Sequence, residues 1–191
     1  MSRIGLIVML AALYSGAFAQ DLAEIVLKDA GSGTNYKISN FKSKQAAVIV
    51  FWGNRCAYNS YYVDRIKALQ QEYGRKGVEF ILVNAYRSDI VGEESEEEMI
   101  DYLRAEKLSI PYLIDAEQTL KQNLGASRSP EVFVLGNRSG QLIVYYSGAI
   151  DDSPQSEGDV NHPYLAQAII SLLANEKPAA ANNRPVGCLI R

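Results

Sequence analysis

The sequence predicts an α/β fold in which a central mixed sheet carries helices on both faces and begins with an N-terminal strand pair. Short apolar runs, typical of strands, alternate with segments whose apolar side chains recur every three or four residues, as in helices. Such strand–helix–strand connections place the strands in parallel and the helices on the faces of the sheet. The length of 191 residues and the hydrophobic fraction of 48% suit a single domain with a substantial core.

The strands follow in order along the chain. Residues 25–28 and 35–38 flank a glycine-containing turn and predict the N-terminal strand pair. Residues 46–52 form a continuous apolar run rich in Val and Ile, typical of a strand buried on both faces. Residues 78–84 and 110–114 predict the next two strands, and residues 131–135 and 141–146 predict a closing hairpin.

Helices connect these strands. One follows Cys56 and stops at Gly74, because glycine favours a helix C-terminus. Ser95 with Glu98 three residues later is a capping-box pattern, and the acidic residues 93–98 predict a solvated helix start. Asp115 predicts the cap of a short helix at residues 117–123, and residues 163–175 predict a last amphipathic helix.

Three segments divide the chain. Residues 1–19 combine a positive start, a short apolar stretch and the small-x-small sequence Ala17-Phe18-Ala19, and they predict a cleaved secretory signal peptide. Residues 20–175 are the predicted domain, and residues 176–191 are an extended tail that carries Cys188. We therefore expect an exported, periplasmic or secreted protein with no stable membrane insertion after cleavage.

Charge limits the classes of partner. A net charge of -3 gives no reason to expect nucleic acid or an anionic membrane surface as a partner. No Cys/His cluster has zinc spacing, so we expect no metal site. The sequence does not indicate an oligomeric state.

Cys56 is the main candidate for a reactive group. It stands between the buried strand 46–52 and the first helix, so its sulfur is predicted at a helix N-terminus, where the helix dipole favours a thiolate. Arg55 is adjacent and permanently cationic, which also favours the thiolate. Burial beside Trp52 would act in the opposite direction.

Several motifs carry a resemblance in their order and spacing. They are the segment 53–58 (Gly-Asn-Arg-Cys-Ala-Tyr), residues 64–66 (Asp-Arg-Ile), Ser129-Pro130, residues 148–153 (Gly-Ala-Ile-Asp-Asp-Ser) and the ending 187–191 (Gly-Cys-Leu-Ile-Arg). The chain from about residue 38 onward resembles the redoxin branch of the thioredoxin superfamily, and more narrowly peroxiredoxin-like proteins of the alkyl hydroperoxide reductase/thiol-specific antioxidant type. The ending at residues 187–191 resembles the Gly-Cys-x-Ile-Lys ending of that family.

The resemblance implies a thioredoxin-like fold and a site around Cys56. It places Ser129-Pro130 where such folds have a cis-proline facing the active cysteine, with the Ser129 backbone exposed to an extended substrate strand. We expect Ser129 and Pro130 to bind substrate, together with three residues that flank Cys56: Trp52, Asn54 and Tyr58.

The chain also departs from the family at specific positions. Asn59 stands where thioredoxins carry the second cysteine of their CxxC pair, and Arg128 stands at a position that is often cysteine. Peroxiredoxins proper have Thr or Ser three residues before the reactive cysteine and Pro seven before it; here these positions are Gly53 and Ile49. The usual peroxide-binding pocket is therefore not present in the sequence.

Cys188 is the partner to consider for Cys56, and three interpretations compete. In the first, the protein is a thiol–disulfide oxidoreductase with Cys56 as nucleophile and Cys188 as resolving cysteine. It would act on a thiol or disulfide protein substrate and an external reductant, with no bound cofactor. In the second, it is a weak thiol peroxidase of peroxiredoxin-like type. In the third, it is a degenerate binding or structural domain held by a Cys56–Cys188 disulfide.

Overall fold

A computed structural model describes residues 21–87 and 94–191. The predicted signal peptide at residues 1–19 lies outside the described residues. Within the described part of the chain, no helix has the length and apolar character needed to cross a membrane.

Ten strands and four α-helices occur in the described residues. The strands are β1 (Val26–Asp29), β2 (Asn35–Lys37), β3 (Ala46–Phe51), β4 (Val78–Asn84), β5 (Tyr112–Ile114), β6 (Arg128–Ser129), β7 (Glu131–Arg138), β8 (Gln141–Gly148), β9 (Asn182–Asn183) and β10 (Cys188–Leu189). The helices are α1 (Ala57–Gly74), α2 (Glu96–Ala105), α3 (Thr119–Leu124) and α4 (Tyr164–Leu173).

The main sheet is mixed, as the sequence predicts. Its order is β2-β1-β5-β4-β3-β7-β8-β9, and β10 pairs with β6 in a separate two-stranded ladder. The pairs β3–β4, β4–β5 and β8–β9 are parallel, whereas β7 runs antiparallel to both β3 and β8. The predicted N-terminal strand pair forms at the edge as β1 and β2.

Two apolar layers cover the faces of this sheet. Alternate residues of β3 contribute to opposite layers, Val48 and Val50 to one and Ile49 and Phe51 to the other, because successive side chains of a strand point to opposite faces. The first layer includes side chains of α1, α2 and α4. The second includes Leu120 of α3. Helices therefore lie on both faces, which confirms the predicted fold class.

Three local predictions differ from the structure. The second strand ends at Lys37, and Ile38–Ser43 forms a 3-10 helix whose Ile38 packs in the core. Helix α3 begins at Thr119 rather than residue 117, since Gln118 has a left-handed φ of 57°, and Asp115 accepts hydrogen bonds from its first-turn amides. The last helix, predicted at residues 163–175, spans Tyr164–Leu173 and ends before Asn175, which has a left-handed φ of 57°.

A buried ion pair links α1 to the loop after β8. The guanidinium of Arg65 lies 2.6 Å from a carboxylate oxygen of Asp151 and also donates to the carbonyl oxygens of Ser153 and Pro154. The Tyr62 hydroxyl donates to the same carboxylate. Two of the sequence motifs, at residues 64–66 and 148–153, are therefore parts of one contact that orients the first helix.

Candidate functional site: a disulfide between the first helix and the tail

The register of the sheet brings two loops together. Phe51, the last residue of β3, lies opposite Glu131, the first residue of β7. The chain leaving β3 towards Cys56 therefore passes beside the chain that enters β7 through Ser129-Pro130. The Ser129–Pro130 peptide bond is cis, as predicted.

Cys56 occupies the N-cap position of α1. Its backbone is extended, its carbonyl oxygen accepts the first-turn N–H of Asn59, and its side chain makes no capping hydrogen bond. The sulfur thus lies where unpaired amides and the helix dipole favour negative charge. Only 7% of the residue is exposed.

The Cys56 sulfur is bonded to Cys188. The two Cα atoms are 5.9 Å apart across a sequence separation of 132 residues. The pairing of these two cysteines, considered from sequence, is confirmed. Cys188 is half-buried and therefore more accessible than Cys56.

The tail reaches Cys56 by adding a short strand. β10 pairs antiparallel with β6, so that Cys188 lies opposite Ser129 and Leu189 opposite Arg128. Beyond this ladder, the N–H of Ile190 donates to the carbonyl oxygen of Ser127 at 3.0 Å. The Ile190 side chain is 7% exposed and packs in the second apolar layer. The end of the chain is therefore anchored by both backbone and side chain.

Gly187 fits against the β6 backbone without space for a side chain. A Cβ atom there would overlap the carbonyl group of Ser129 and lie 2.9 Å from the nitrogen of Pro130. The Gly187 carbonyl oxygen accepts a 2.8 Å hydrogen bond from the Arg128 guanidinium. Arg128, which departs from the family pattern, therefore contributes directly to tail docking.

Ser129 connects the two loops, and its side chain is fully buried. Its hydroxyl oxygen accepts hydrogen bonds from the Gly53 N–H at 2.8 Å and the Asn59 side-chain amide at 3.0 Å. Its carbonyl oxygen lies 2.9 Å from the Cys56 sulfur. A disulfide sulfur has no hydrogen to donate, but after reduction the Cys56 thiol can donate to this oxygen.

Asn59 has a structural role that the sequence interpretation missed. It stands where a CxxC motif has its second cysteine and is 1% exposed. Its amide nitrogen donates to the Gly53 carbonyl oxygen at 2.6 Å as well as to Ser129. A polar cross-link therefore replaces the second cysteine, and its position three residues after Cys56 is the signal that could have identified it.

Two buried carboxylates hold the two loops. Glu94 accepts the backbone N–H groups of Asn54 and Arg55, and a carboxylate oxygen of Glu131 accepts those of Ser127 and Arg128. Glu94 is only 5% exposed, so the prediction that the acidic cluster is solvated is wrong for this residue. Nothing in the sequence indicates this role, because Glu94 lies in a run of acidic residues that is typical of a solvated helix start.

The predicted residues on the Cys56 loop occupy different environments. Arg55 is exposed, and its guanidinium lies 3.6 Å from the Glu98 carboxylate, which offsets part of its charge. The side-chain oxygen of Asn54 lies 2.9 Å from the Tyr112 hydroxyl. Tyr58 is half-buried and packs edge-to-face on Tyr61.

Trp52 lies close to Cys56 in sequence, and its side chain is buried in the core. It is 1% exposed and packs in the first apolar layer beside Tyr102. Substrate binding by Trp52 stays a prediction from the sequence, and in this structure the side chain is part of the core. The apolar strand 46–52 continues into the core through Trp52, which explains its burial.

The position three residues before Cys56 has no space for a side chain. A Cβ atom at Gly53 would lie 2.5 Å from the ring of Tyr86 and 3.1 Å from a carboxylate oxygen of Glu94. The Thr or Ser hydroxyl that peroxiredoxins place here therefore has no counterpart in this chain.

Two tyrosines contact this loop, the half-buried Tyr86 beside Gly53 and the buried Tyr112 beside Asn54. Burial, reinforced by the nearby Glu94 carboxylate, raises the pKa of Tyr86 to about 12. The same two causes raise the pKa of Tyr112 well above its ordinary value. Among the described residues, no group of three or more His, Cys, Asp or Glu side chains could hold a metal ion.

Known structures share this architecture. A hypothetical protein from Sinorhizobium meliloti 1021 matches with a TM-score of 0.79 and 25% identity, over 89% of this chain and 91% of that one. An uncharacterized conserved protein from Geobacillus kaustophilus matches with a TM-score of 0.80 and 24% identity, over 91% and 90%. A secreted Mycobacterium tuberculosis disulfide oxidoreductase, described as homologous to E. coli DsbE, matches with a TM-score of 0.54 and 12% identity, over 78% and 96%.

The fold, with a cysteine at the first helix and a cis-proline beside it, defines a thioredoxin-like protein. The Redoxin family model matches residues 16–160, so the chain belongs to the Redoxin family. Cys188 and the rest of the tail lie beyond the matched residues. No match is found among curated proteins.

Proposed function

We propose that this protein is a thiol–disulfide oxidoreductase whose redox centre is the Cys56–Cys188 pair. The observation that carries the proposal is the bond between a cysteine at a helix N-terminus and a cysteine on a separately docked tail strand. Membership of the Redoxin family supports it. The similarity to a secreted mycobacterial disulfide oxidoreductase agrees with it.

We place the first exchange step at Cys188, the more exposed of the two cysteines. An external thiolate attacks Cys188, forms a mixed disulfide with it and expels Cys56 as a thiolate. Helix α1 stabilises the departing charge at Cys56, and a more stable thiolate is a better leaving group. A second external thiolate attacks the external sulfur of this mixed disulfide, forms an external disulfide and releases Cys188 as a thiolate that takes up a proton. Two electrons have then passed from the two external thiols to the protein.

The reduced protein passes its two electrons to a substrate disulfide by a different route, through Cys56. The Cys56 thiolate attacks one substrate sulfur and expels the other as a thiolate. Cys188 then attacks the Cys56 sulfur, re-forms the intramolecular disulfide and releases the remaining substrate thiol. The partners are therefore a thiol or disulfide protein and an external reductant, and the exchange itself needs no bound cofactor.

The other predicted site residues support this chemistry at different distances from the sulfur. The docked tail occupies a position between Cys56 and the chain at Arg128, Ser129 and Pro130, and we call this position the groove. Tyr58 lies in the first turn of α1, where we expect a bound substrate to pass. Asn54 fixes the loop before the helix through its hydrogen bond with Tyr112, and Arg55 gives this loop a positive charge. We assign Cys56 and Cys188 the covalent steps, and the others binding and orientation.

Export is the setting in which this pair would work. The leader pattern of residues 1–19 and the presence of a disulfide agree with an oxidising compartment, periplasmic or extracellular. The test of export is the N-terminal sequence of the protein recovered from its source, which should begin at Gln20.

The proposal is tested with two single-cysteine proteins, full-length Cys188→Ser and Cys56→Ser, each reacted with glutathione disulfide across a pH series. Mass spectrometry after alkylation measures the mixed disulfide. We expect Cys56 to react with a midpoint below the pKa of free cysteine, about 8.5, and Cys188 to react as an ordinary thiol. An unreactive Cys56, or a midpoint at or above that value, contradicts the proposal and favours a structural disulfide.

A further inference from the structure

The docked tail shows how an extended peptide lies in the groove beside Cys56. Its seating uses mainly backbone groups: the β6–β10 ladder, the Ile190 N–H bonded to the Ser127 carbonyl oxygen, and the Gly187 carbonyl oxygen bonded to Arg128. Backbone contacts of this kind are available to any extended segment that enters in the same antiparallel register. The contacts of each tail residue therefore indicate which side chains a bound segment could carry at the same position.

Two of these positions are selective. The residue before the cysteine must be glycine, because a Cβ atom at Gly187 would overlap the carbonyl group of Ser129, which is backbone and cannot rotate away. The residue two after the cysteine must be aliphatic, because Ile190 packs in the second apolar layer with 7% exposure.

Two other positions accept varied side chains. Leu189, which directly follows the cysteine, is 52% exposed, and Val186, which precedes Gly187, is 47% exposed. Neither side chain is confined by the groove to a degree that would reject other residues.

We propose that the groove recognises extended protein segments of the pattern Gly-Cys-x-aliphatic, and that the tail is its resident copy of that pattern. This inference rests on the proposed function, and it names the substrate class of the same site. While Cys188 is bonded to Cys56, the tail excludes other segments. After reduction, a substrate segment and the tail compete for the same strand position.

This competition also explains how product leaves. The reduced Cys56 thiolate attacks the cysteine of a bound Gly-Cys-x-aliphatic segment that is held in a disulfide, and the second substrate sulfur departs as a thiolate. The tail then re-enters the groove, and Cys188 attacks Cys56 and expels the segment as a thiol. Two electrons pass from the Cys56–Cys188 dithiol to the substrate disulfide, and the external reductant restores the dithiol.

The test uses reduced, full-length Cys188→Ser and synthetic peptides whose cysteine is activated as a mixed disulfide with thionitrobenzoate. The parent peptide is Val-Gly-Cys-Leu-Ile-Arg. Three variants place alanine for the glycine, alanine for the leucine, or aspartate for the isoleucine. The second-order rate of thionitrobenzoate release is divided by the rate of the same peptide with free glutathione, which removes intrinsic reactivity.

We expect the parent and the leucine variant to react within about twofold of each other. The glycine and isoleucine variants should react at least about tenfold more slowly, as a steric overlap or a buried charge predicts. Gly187→Ala/Cys188→Ser should react faster with the parent peptide than Cys188→Ser does, because its own tail no longer fits the groove.

Equal corrected rates for all four peptides would overturn the specificity while leaving the proposed function intact. Ellman's reagent, which does not have to bind in the groove, distinguishes failure of the specificity from failure of the proposed function. If Cys56 reacts with this reagent but reacts equally with all peptides, only the specificity fails. If Cys56 reacts with neither, both fail.

Discussion

At the scale of single residues, the site is a cysteine whose usual neighbour has been replaced by an amide. Asn59 connects Gly53, on the loop before α1, with Ser129, on the loop before β7. Ser129 in turn places its carbonyl oxygen against the Cys56 sulfur. These bonds hold the two loops in position, and the sulfur bonded to Cys56 comes from the tail.

Asn59→Ala should lower the free energy of unfolding by about 1–3 kcal/mol, because the Gly53 carbonyl oxygen and the Ser129 hydroxyl would lose a buried partner. Urea unfolding of the oxidised protein measures this. The matched control is Ser60→Ala, on the next residue of α1, whose exposed hydroxyl bonds only its own helix and should change stability by less than about 0.5 kcal/mol. Equal effects of the two substitutions would contradict the role given to Asn59.

The residues that could be predicted from sequence are those with a local signature. Cys56 lies between an apolar strand and a helix pattern, and Pro130 precedes a strand. Glu94 has no such signature: its burial arises because it accepts two N–H groups from a loop about forty residues earlier in the chain. Trp52 was predicted as a substrate-binding residue because it lies close to Cys56 in sequence, and the alternation of side chains that continues from β3 places it in the core with two valines of that strand.

At the scale of elements, the site depends on a two-residue strand. Apart from the disulfide, the contacts that hold β10 and its neighbours in the described residues are the pairing with β6, the contacts of Gly187 and Ile190, and a hydrogen bond from the Gln118 amide to the Arg191 carbonyl oxygen. So short a ladder is easily opened once the covalent bond is broken. The sequence identified Cys188 as the candidate partner of Cys56 and left open whether it could reach that cysteine, because its docking depends on β6, which is too short to be recognised as a strand.

Gly187→Ala should loosen the tail and accelerate reduction of the Cys56–Cys188 bond by dithiothreitol by about tenfold, since overpacking against a rigid backbone costs on the order of 1–3 kcal/mol. The rate is followed by alkylation and mass spectrometry under native conditions. Gly158→Ala is the control, because a Cβ atom there meets no other atom within 4 Å. If both variants are reduced at the rate of the wild type, Gly187 does not govern docking.

At the scale of the whole molecule, the core does not depend on the tail. The two apolar layers are built from the sheet and its helices, and the buried tail residue in them is Ile190. We therefore expect the domain to stay folded when the disulfide opens, as the proposed redox cycle requires. The order of strands and helices was predictable because hydrophobic periodicity records it, whereas the meeting of the loops depends on pairing between strands far apart in sequence.

Alkaline pH should destabilise the whole domain through its buried tyrosines. Burial raises the pKa of Tyr86, Tyr102 and Tyr146 to about 12, above their value of 10.0 in an unfolded chain. Their contribution to stability is therefore complete below pH 10 and is lost as the pH rises towards 12.

The Tyr86→Phe variant isolates one of these groups. It keeps the ring but removes the ionisable hydroxyl, so its stability should fall less steeply than that of the wild type between pH 10 and 12. Urea midpoints at a series of pH values measure the two slopes. Parallel curves for the two proteins would show that Tyr86 does not ionise differently on unfolding.

The central claim, that Cys56 and Cys188 form a redox pair rather than a structural disulfide, is tested most directly by native-state exchange. Wild-type protein is equilibrated in glutathione buffers of graded reduction potential, and alkylation mass spectrometry gives the oxidised fraction while circular dichroism reports folding. We predict a reversible transition between disulfide and dithiol forms, with the protein folded throughout. A bond that persists under reducing conditions until the domain unfolds would contradict the claim.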